Sequence, residues 1–473
     1  MPPVNVVTTG NSDHYLSSHR FVGANTAIPT YYDYRNQLES VRRFMNDKMS
    51  IDLFAITRKS GAKVTTIVPV GAETFEIRPG DELTIDLVVQ NKGIGHSLVP
   101  EQRDFYESWV EFSAADQAGI FFHSGGLDSK GYLSPEAHSF TNRLIDRDGK
   151  SLLKHQIWHT RLKTYDNTIM PGKSQLVRYR FQVPRDARGL IRIETRINYR
   201  RFRKDYTDFV LGAPLDYPVF QLAESSNQLK LGKNRTTTQP DQDQLRLRWN
   251  NYGIALLGEQ QWWRAEEAFS HTNEIDASYV DGYVNQAIAE YSKWTENRKQ
   301  ITDGQGVLSL DNANAAPEKF EAALGMLEKA LQVNPAYARA LYYKGVILRL
   351  QGNLDNAFSV LTEVVRQFPG FLQGREELGY VFYLQKNFSS SVNEFEAAKA
   401  INPDDVTACY YLSIGYAALG KPDLARANAQ LYAEHRDDPN NFALNLTFVK
   451  KRSDEARELT PYHVHGGAEL ANH

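Results

Sequence analysis

Twelve histidines and a single cysteine are the side chains in this 473-residue chain best suited to binding a metal or a haem iron. With Cys409 alone, the chain cannot build an intrachain disulfide, a cysteine zinc site, a C-x-x-C redox pair or a covalent c-type haem. His155 and His159 have the i, i+4 spacing that puts two imidazoles on one helix face. No glutamate lies between them, however, and their surroundings read as strand and loop. His96 follows a glycine and reads as a structural residue at a strand end. His463 and His465 would point the same way on an extended segment, a geometry able to hold a metal. As a pair in a tail they are too few, so the sequence assigns no metal ligand.

Arg192, Arg196 and Arg200 share one face of a strand, with Arg178 and Arg180 close in sequence. Such a row could pair with haem propionates or an acidic partner. Glu194 interrupts that face, which favours an ordinary solvated surface. Asp128, Asp146 and Asp148 offer oxygen ligands for calcium, although aspartates beside glycine more often brace turns. The chain has no G-x-S-x-G, phosphate loop, H-E-x-x-H or dinucleotide fingerprint. No catalytic residue is therefore assigned and the chain is read as a non-enzyme; a hydrolase would lack a triad.

The elements that must hold these residues fall into two halves. A chain this long exceeds one ordinary core, and 41% hydrophobic with 23% charged residues marks a globular protein. Net charge is −3, which gives no support for a nucleic-acid binder. Through residue 230 there are 30 Lys/Arg against 26 Asp/Glu, and beyond it 24 against 31, so the halves differ in sign. No basic segment with an apolar run opens the given chain, and no stretch is long and apolar enough for a membrane span.

In the second half a period of 34 residues is read by subtraction. Pro335, Pro369 and Pro403 hold it, as do Ala323, Ala357, Ser391 and Ala425, then Leu327, Leu361, Phe395 and Ala429, and finally Gly345, Gly379 and Ser413. These are the small, bulky and helix-ending positions of the tetratricopeptide repeat. Trp249, Gly253, Ala265 and Phe269 mark an earlier repeat, and Tyr283 with Ala287 opens the next. About five repeats are expected over residues 245–439, with a polar insertion near 295–316. Their stacking should leave a concave groove for a protein partner.

The first half shows alternating runs bounded by turns. Leu83, Ile85, Leu87 and Val89 follow a Pro79-Gly80 turn, and further strands are expected over Trp109–Phe112, Ile120–His123, Leu176–Val183 and Leu190–Tyr199. The reading is an antiparallel, immunoglobulin-like β-sandwich over residues 51–223, preceded by an arm and short helix in 1–50. The helix is placed at Gln37–Met49, with Leu38, Val41, Phe44 and Met45 on one face. The polar run 224–244 reads as a linker. Residues 440–473 read as a tail that caps or crosses the solenoid.

Ser18-His19-Arg20-Phe21-Val22-Gly23-Ala24-Asn25-Thr26, Asn91-Lys92-Gly93-Ile94-Gly95-His96 and His123-Ser124-Gly125-Gly126-Leu127-Asp128 carry a resemblance. Tyr165-Asp166, Ile169-Met170-Pro171-Gly172, Tyr199-Arg200-Arg201-Phe202 and Pro461-Tyr462-His463-Val464-His465 extend it over nearly the whole chain. Together they resemble the region after the last haem motif in bacterial multihaem c-type cytochromes with carboxy-terminal tetratricopeptide repeats. The resemblance implies a non-catalytic module of an electron-transfer assembly, periplasmic or at the cell surface, partnered by a multihaem cytochrome or another protein subunit.

This chain departs from that family in having no C-x-x-C-H, so haem c would be carried by a partner or an upstream segment. In the family, C-x-x-C-H-M-P often precedes the Ser-His-Arg-Phe phrase, where this chain has Met1-Pro2-Pro3-Val4. The expectation is a haem region encoded upstream, or a haem-free branch working beside a separate cytochrome. The resemblance makes His19 the first candidate for an axial haem ligand and His14 the second. The alternative is a haem-independent tetratricopeptide scaffold. Cys409 is expected to be a buried spacer.

Overall fold

The computed structural model describes residues 3–6, 14–17, 23–71, 74–100, 103–212, 217–234, 241–295, 320–436, 441–451 and 457–466. The chain divides into two compact units. One comprises Met1–Pro240 together with Leu444–His473, and the other Asp241–Ala443.

The first unit begins with a ribbon of β1 (Pro3–Val6) and β2 (His14–Ser17), then α1 (Ala27–Tyr31) and α2 (Arg35–Met45). The expected helix is thus shorter at its end than the sequence pattern reached. Asp47 takes a positive φ of 61°, and Met49 already opens a strand. Val41 and Met45 are buried as the pattern requires, whereas Phe44 is exposed.

The strands that follow are β3 (Met49–Ser60), β4 (Lys63–Ile67), β5 (Phe75–Ile77), β6 (Glu82–Asn91), β7 (Glu107–Asp116) and β8 (Gly119–Ser124). After them come β9 (Asn142–Ile145), β10 (Leu162–Asp166), β11 (Ser174–Gln182), β12 (Leu190–Arg200), α3 (Lys204–Leu211), β13 (Phe220–Lys230) and β14 (Gly232–Asn234). Two four-stranded antiparallel sheets form, in the orders β11-β6-β3-β4 and β13-β12-β7-β8. Every second residue faces inward, so Leu53, Ile85, Leu87 and Val177 of one sheet share a core with Val110, Phe112, Ile193 and Ile197 of the other. Phe112 stacks on Tyr179 across that core with ring centres 4.4 Å apart.

The run read as a linker, 224–244, is in its first part sheet. β13 continues to Lys230 and β14 pairs with β5. Its polar composition has a structural reason. β13 is an edge strand bonded only to β12, and one of its faces is solvated, so Leu222 and Leu229 are buried while Glu224, Ser226 and Gln228 are exposed.

The second unit stacks five helix pairs: α4 (Gln242–Gly258) with α5 (Trp262–Ile275), α6 (Val280–Thr295) with α7 (Glu321–Val333), α8 (Ala338–Leu350) with α9 (Leu354–Gln367), α10 (Leu372–Leu384) with α11 (Phe388–Ile401), and α12 (Val406–Ala418) with α13 (Pro422–His435). Most of the expected insertion lies outside the described residues. The repeat spacing has a direct packing cause: a Cβ on Gly345 would meet the Leu361 side chain at 2.5 Å, so α8 and α9 approach closely only because that position has no side chain. Cys409 is fully buried in α12, as expected of a spacer, and burial pushes its thiol pKa up.

The boundary between the units falls within α14 (Asn441–Lys451): from Leu444 onward the tail belongs to the β-unit, where His465 forms a parallel bridge with Tyr179 of β11. Among the described residues no helix is long and apolar enough to cross a membrane.

Candidate functional site

Backbone pairing in the β-unit gathers four side chains from two distant stretches of sequence. His138 sits in the loop between β8 and β9, pinned along β7 because the Val110 amide donates to the His138 carbonyl at 3.0 Å and the Phe140 amide to the Ser108 carbonyl at 2.8 Å. His465 is held by β11 on both sides: its amide donates to the Arg178 carbonyl, and the Arg180 amide donates to its carbonyl, each at 2.8 Å. Gly466 follows with φ +79°, and a Cβ there would strike the Arg180 carbonyl at 2.6 Å, so glycine is needed for the close approach. Glu458 lies in a single 3₁₀ turn, Arg457–Leu459, and His463 follows it.

The four side chains converge. One ligand-capable atom from each of His138, Glu458, His463 and His465 lies within 4.8 Å of all the others. His138 Nδ1 and His463 Nε2 are 3.5 and 3.4 Å from Glu458 Oε2, and His465 Nε2 is 3.9 Å from Oε1. His138 and His465 are fully buried.

Carbonyl oxygens can only accept, and this fixes two tautomers. His465 Nδ1 donates to the Glu136 carbonyl at 3.0 Å and His463 Nδ1 to the Thr460 carbonyl at 2.9 Å. In the neutral rings each Nε2 therefore carries a lone pair toward the cluster. Burial, outweighing the attraction of Glu458, pushes the His465 pKa down to about 3, so that ring is neutral. For Glu458 burial works against the charge, yet His138 and His463 hold its pKa well below the usual carboxylate range. Asn167 Nδ2 donates to Glu458 Oε2 at 2.5 Å and orients the carboxylate. Three imidazole nitrogens and one carboxylate oxygen form a donor set suited to divalent transition metals.

Of these residues the sequence pattern pointed only to His463 and His465, and it assigned no metal. His138 and Glu458 carried no signal, because no short motif links them to the pair. His155 and His159 are not brought together: His155 Nδ1 bonds Asp104 at 3.0 Å and its ring packs on Phe105, while His159 is exposed in a 3₁₀ turn. His96 is exposed in the loop after β6. For the haem-ligand candidates, His14 opens β2 and His19 lies outside the described residues.

The arginine row is not one surface. Arg192 is exposed and Arg196 pairs with Glu194 at 3.6 Å, but Arg200 is buried against Glu107 and Arg178 against Asp86. The candidate calcium aspartates brace turns, with Asp128 accepting from the Lys130 and Tyr132 amides and Asp146 from those of Asp148 and Lys150, each at 2.9 Å.

In the repeat unit, first helices touch one another along the stack, α4 with α6, α6 with α8, α8 with α10 and α10 with α12. Polar pairs tie this layer together. Asn285 reaches Asn250 at 3.0 Å, Arg339 reaches Asn285 at 2.7 Å, and Arg349 clasps Glu377 at 2.6 and 3.2 Å. Beside it, the first turn of α8 and the α9–α10 loop enclose a cleft of about 550 Å³ walled by Tyr342, Val364, Phe368 and Phe371, with Arg339 at its edge. Phe368 is 52% exposed there.

Residues 316–370 match the family model of the tetratricopeptide repeat, and with the five helix pairs this identifies a tetratricopeptide-repeat region. Similar solved structures include PilF of Pseudomonas aeruginosa, 18% identical with a TM-score of 0.35, covering 46% of this chain and 88% of that one. MamA from Desulfovibrio magneticus RS-1 is 15% identical with a TM-score of 0.33, covering 42% and 96%. YrrB, described as a repeat protein with an unusual peptide-binding site, is 17% identical with a TM-score of 0.31, covering 43% and 92%. No curated protein matches the chain.

Proposed function

We propose that the chain is a non-catalytic interaction scaffold whose repeats hold a segment of a protein partner. The observation that carries this reading is the apolar cleft at Tyr342, Phe368 and Phe371, where an aromatic side chain stands exposed beside the Arg339 cation. Exposed aromatics next to a guanidinium are characteristic of protein-binding hot spots. The cleft suits an extended segment that inserts an apolar side chain among Tyr342, Phe368 and Phe371, beside an Arg339 that is itself paired with Asp281 at 2.8 Å. Within the β-unit, two antiparallel sheets sharing one core support an immunoglobulin-like reading: β11, β6, β3 and β4 in one sheet, β13, β12, β7 and β8 in the other.

A photo-crosslinker placed at Phe368, with the chain incubated in extract of its native source, tests the scaffold. A polypeptide trapped at Phe368 and not at the comparably exposed Leu424 of α13 is the expected result; equal trapping at both positions, or none, overturns it. The same experiment separates the finer version, docking against a haem-bearing cytochrome, which the sequence resemblance supports. A trapped partner with haem absorbance favours that version, and a colourless one favours the haem-independent scaffold.

A further inference from the structure

We propose that His138, Glu458, His463 and His465 bind one divalent transition-metal ion, zinc(II) by preference, and that the ion fastens the C-terminal segment to the β-unit. All four residues belong to that unit, so the inference stands apart from the partner-binding reading of the repeats.

Spacing comes first. Metal bonds of about 2.0–2.2 Å in a tetrahedron put neighbouring ligand atoms about 3.4 Å apart. The contacts of Glu458 with the three imidazoles, at 3.4, 3.5 and 3.9 Å, already lie near that value. All four donor atoms lie within 4.8 Å of one another, so closing the cage requires them to draw together around the ion.

Hydrogen bonding points the same way. Both ring nitrogens of His138 and the Nε2 of His465 are buried without a hydrogen-bond partner. Buried polar atoms are rarely left so, and a bound cation would take the lone pair of one His138 nitrogen and that of His465 Nε2. The carbonyls of Glu136 and Thr460 act on His465 and His463 as outer partners act on metal-bound imidazoles, fixing the tautomer and aiming Nε2 inward. Asn167 does the same for the carboxylate.

The donor set selects the ion. With no thiolate or thioether the site does not favour copper(I), and four protein donors in a buried cage suit zinc(II), which has no geometric preference of its own. Because the protein supplies all four ligands, the site is of the closed, structural kind. Glu458 also borders a cavity of about 180 Å³ lined by Arg143, Tyr165 and Arg203.

The test uses the untagged full chain, stripped with a chelator and titrated with zinc(II) against a chromophoric competitor. One tightly held zinc per chain is expected. Glu458→Gln and His463→Ala should each weaken it more than tenfold, and Asn167→Ala about tenfold, as for other outer partners. His155→Ala should leave binding unchanged. Should His463→Ala fail to fold, His463→Cys decides, since a thiolate is itself a zinc ligand. That variant should retain the ion and, with cobalt(II), add sulfur charge-transfer absorption to the strong visible bands of a four-coordinate site. Failure to retain zinc, a zinc affinity indifferent to Glu458→Gln, or a cobalt spectrum unmoved by His463→Cys would each overturn the proposal.

Discussion

Arg178 shows what a single side chain does in the β-unit. It is nearly inaccessible, lies 3.1 Å from the similarly buried Asp86, and stacks 4.4 Å from the centre of the Tyr462 ring in the C-terminal segment. Breaking a buried pair from one side leaves a charge without compensation, at about 3–5 kcal/mol. Arg178→Ala should therefore lower the denaturant midpoint of the β-unit steeply, while a paired Arg178→Met, Asp86→Leu change should cost less. In the repeats, burial and the nearby carboxylate of Asp405 push the Glu376 pKa up to about 8. The folded state then holds this proton more tightly than the unfolded chain, so stability is full below the ordinary glutamate pKa and is lost as pH rises through about 8. Glu376→Gln should flatten that loss, which thermal melts of the repeats across this pH window would reveal. At this scale the sequence was only half legible. Its His463-x-His465 spacing showed one edge of the histidine cluster, but His138 joins it from a loop pinned along β7 and Glu458 from a 3₁₀ turn, which no local spacing encodes.

At the level of elements, legibility followed periodicity. The helix pairs were readable because each repeat solves the same packing problem with the same residue sizes at the same interval. Gly345 is one such position, and Gly345→Ala would press a Cβ to within 2.5 Å of Leu361. The cost expected for such overpacking is about 1–3 kcal/mol, appearing as faster amide exchange in α8 and α9 with α4 and α5 unchanged. The core strands were legible by the alternation of apolar residues, Leu83 to Val89 in β6, which buries both faces, and Ile191 to Ile197 in β12, where burial itself alternates. β13 was not, because an edge strand with a solvated face carries the same polar residues as a linker. The end of α2 was overrun for a related reason: apolar Met49 continued the helical pattern while serving as the first core residue of β3.

For the whole molecule, the chain's last segment belongs to its first unit, an assignment that follows from long-range strand pairing rather than from composition. Ending the chain at Ala443 should consequently lower the unfolding temperature of the β-unit and leave the helical signal of the repeats in place. A selective loss of helix would contradict that division. The proposed function concentrates on one cleft of the repeat unit, so it is open to a direct test. Once the segment trapped at Phe368 is known, a synthetic peptide of that segment can be titrated calorimetrically against the chain and its Phe368→Glu variant. Because Phe368 is exposed, the substitution should spare the fold. The account requires the variant to bind at least about tenfold more weakly, the loss of one hot-spot side chain; equal affinity for the two chains would contradict it.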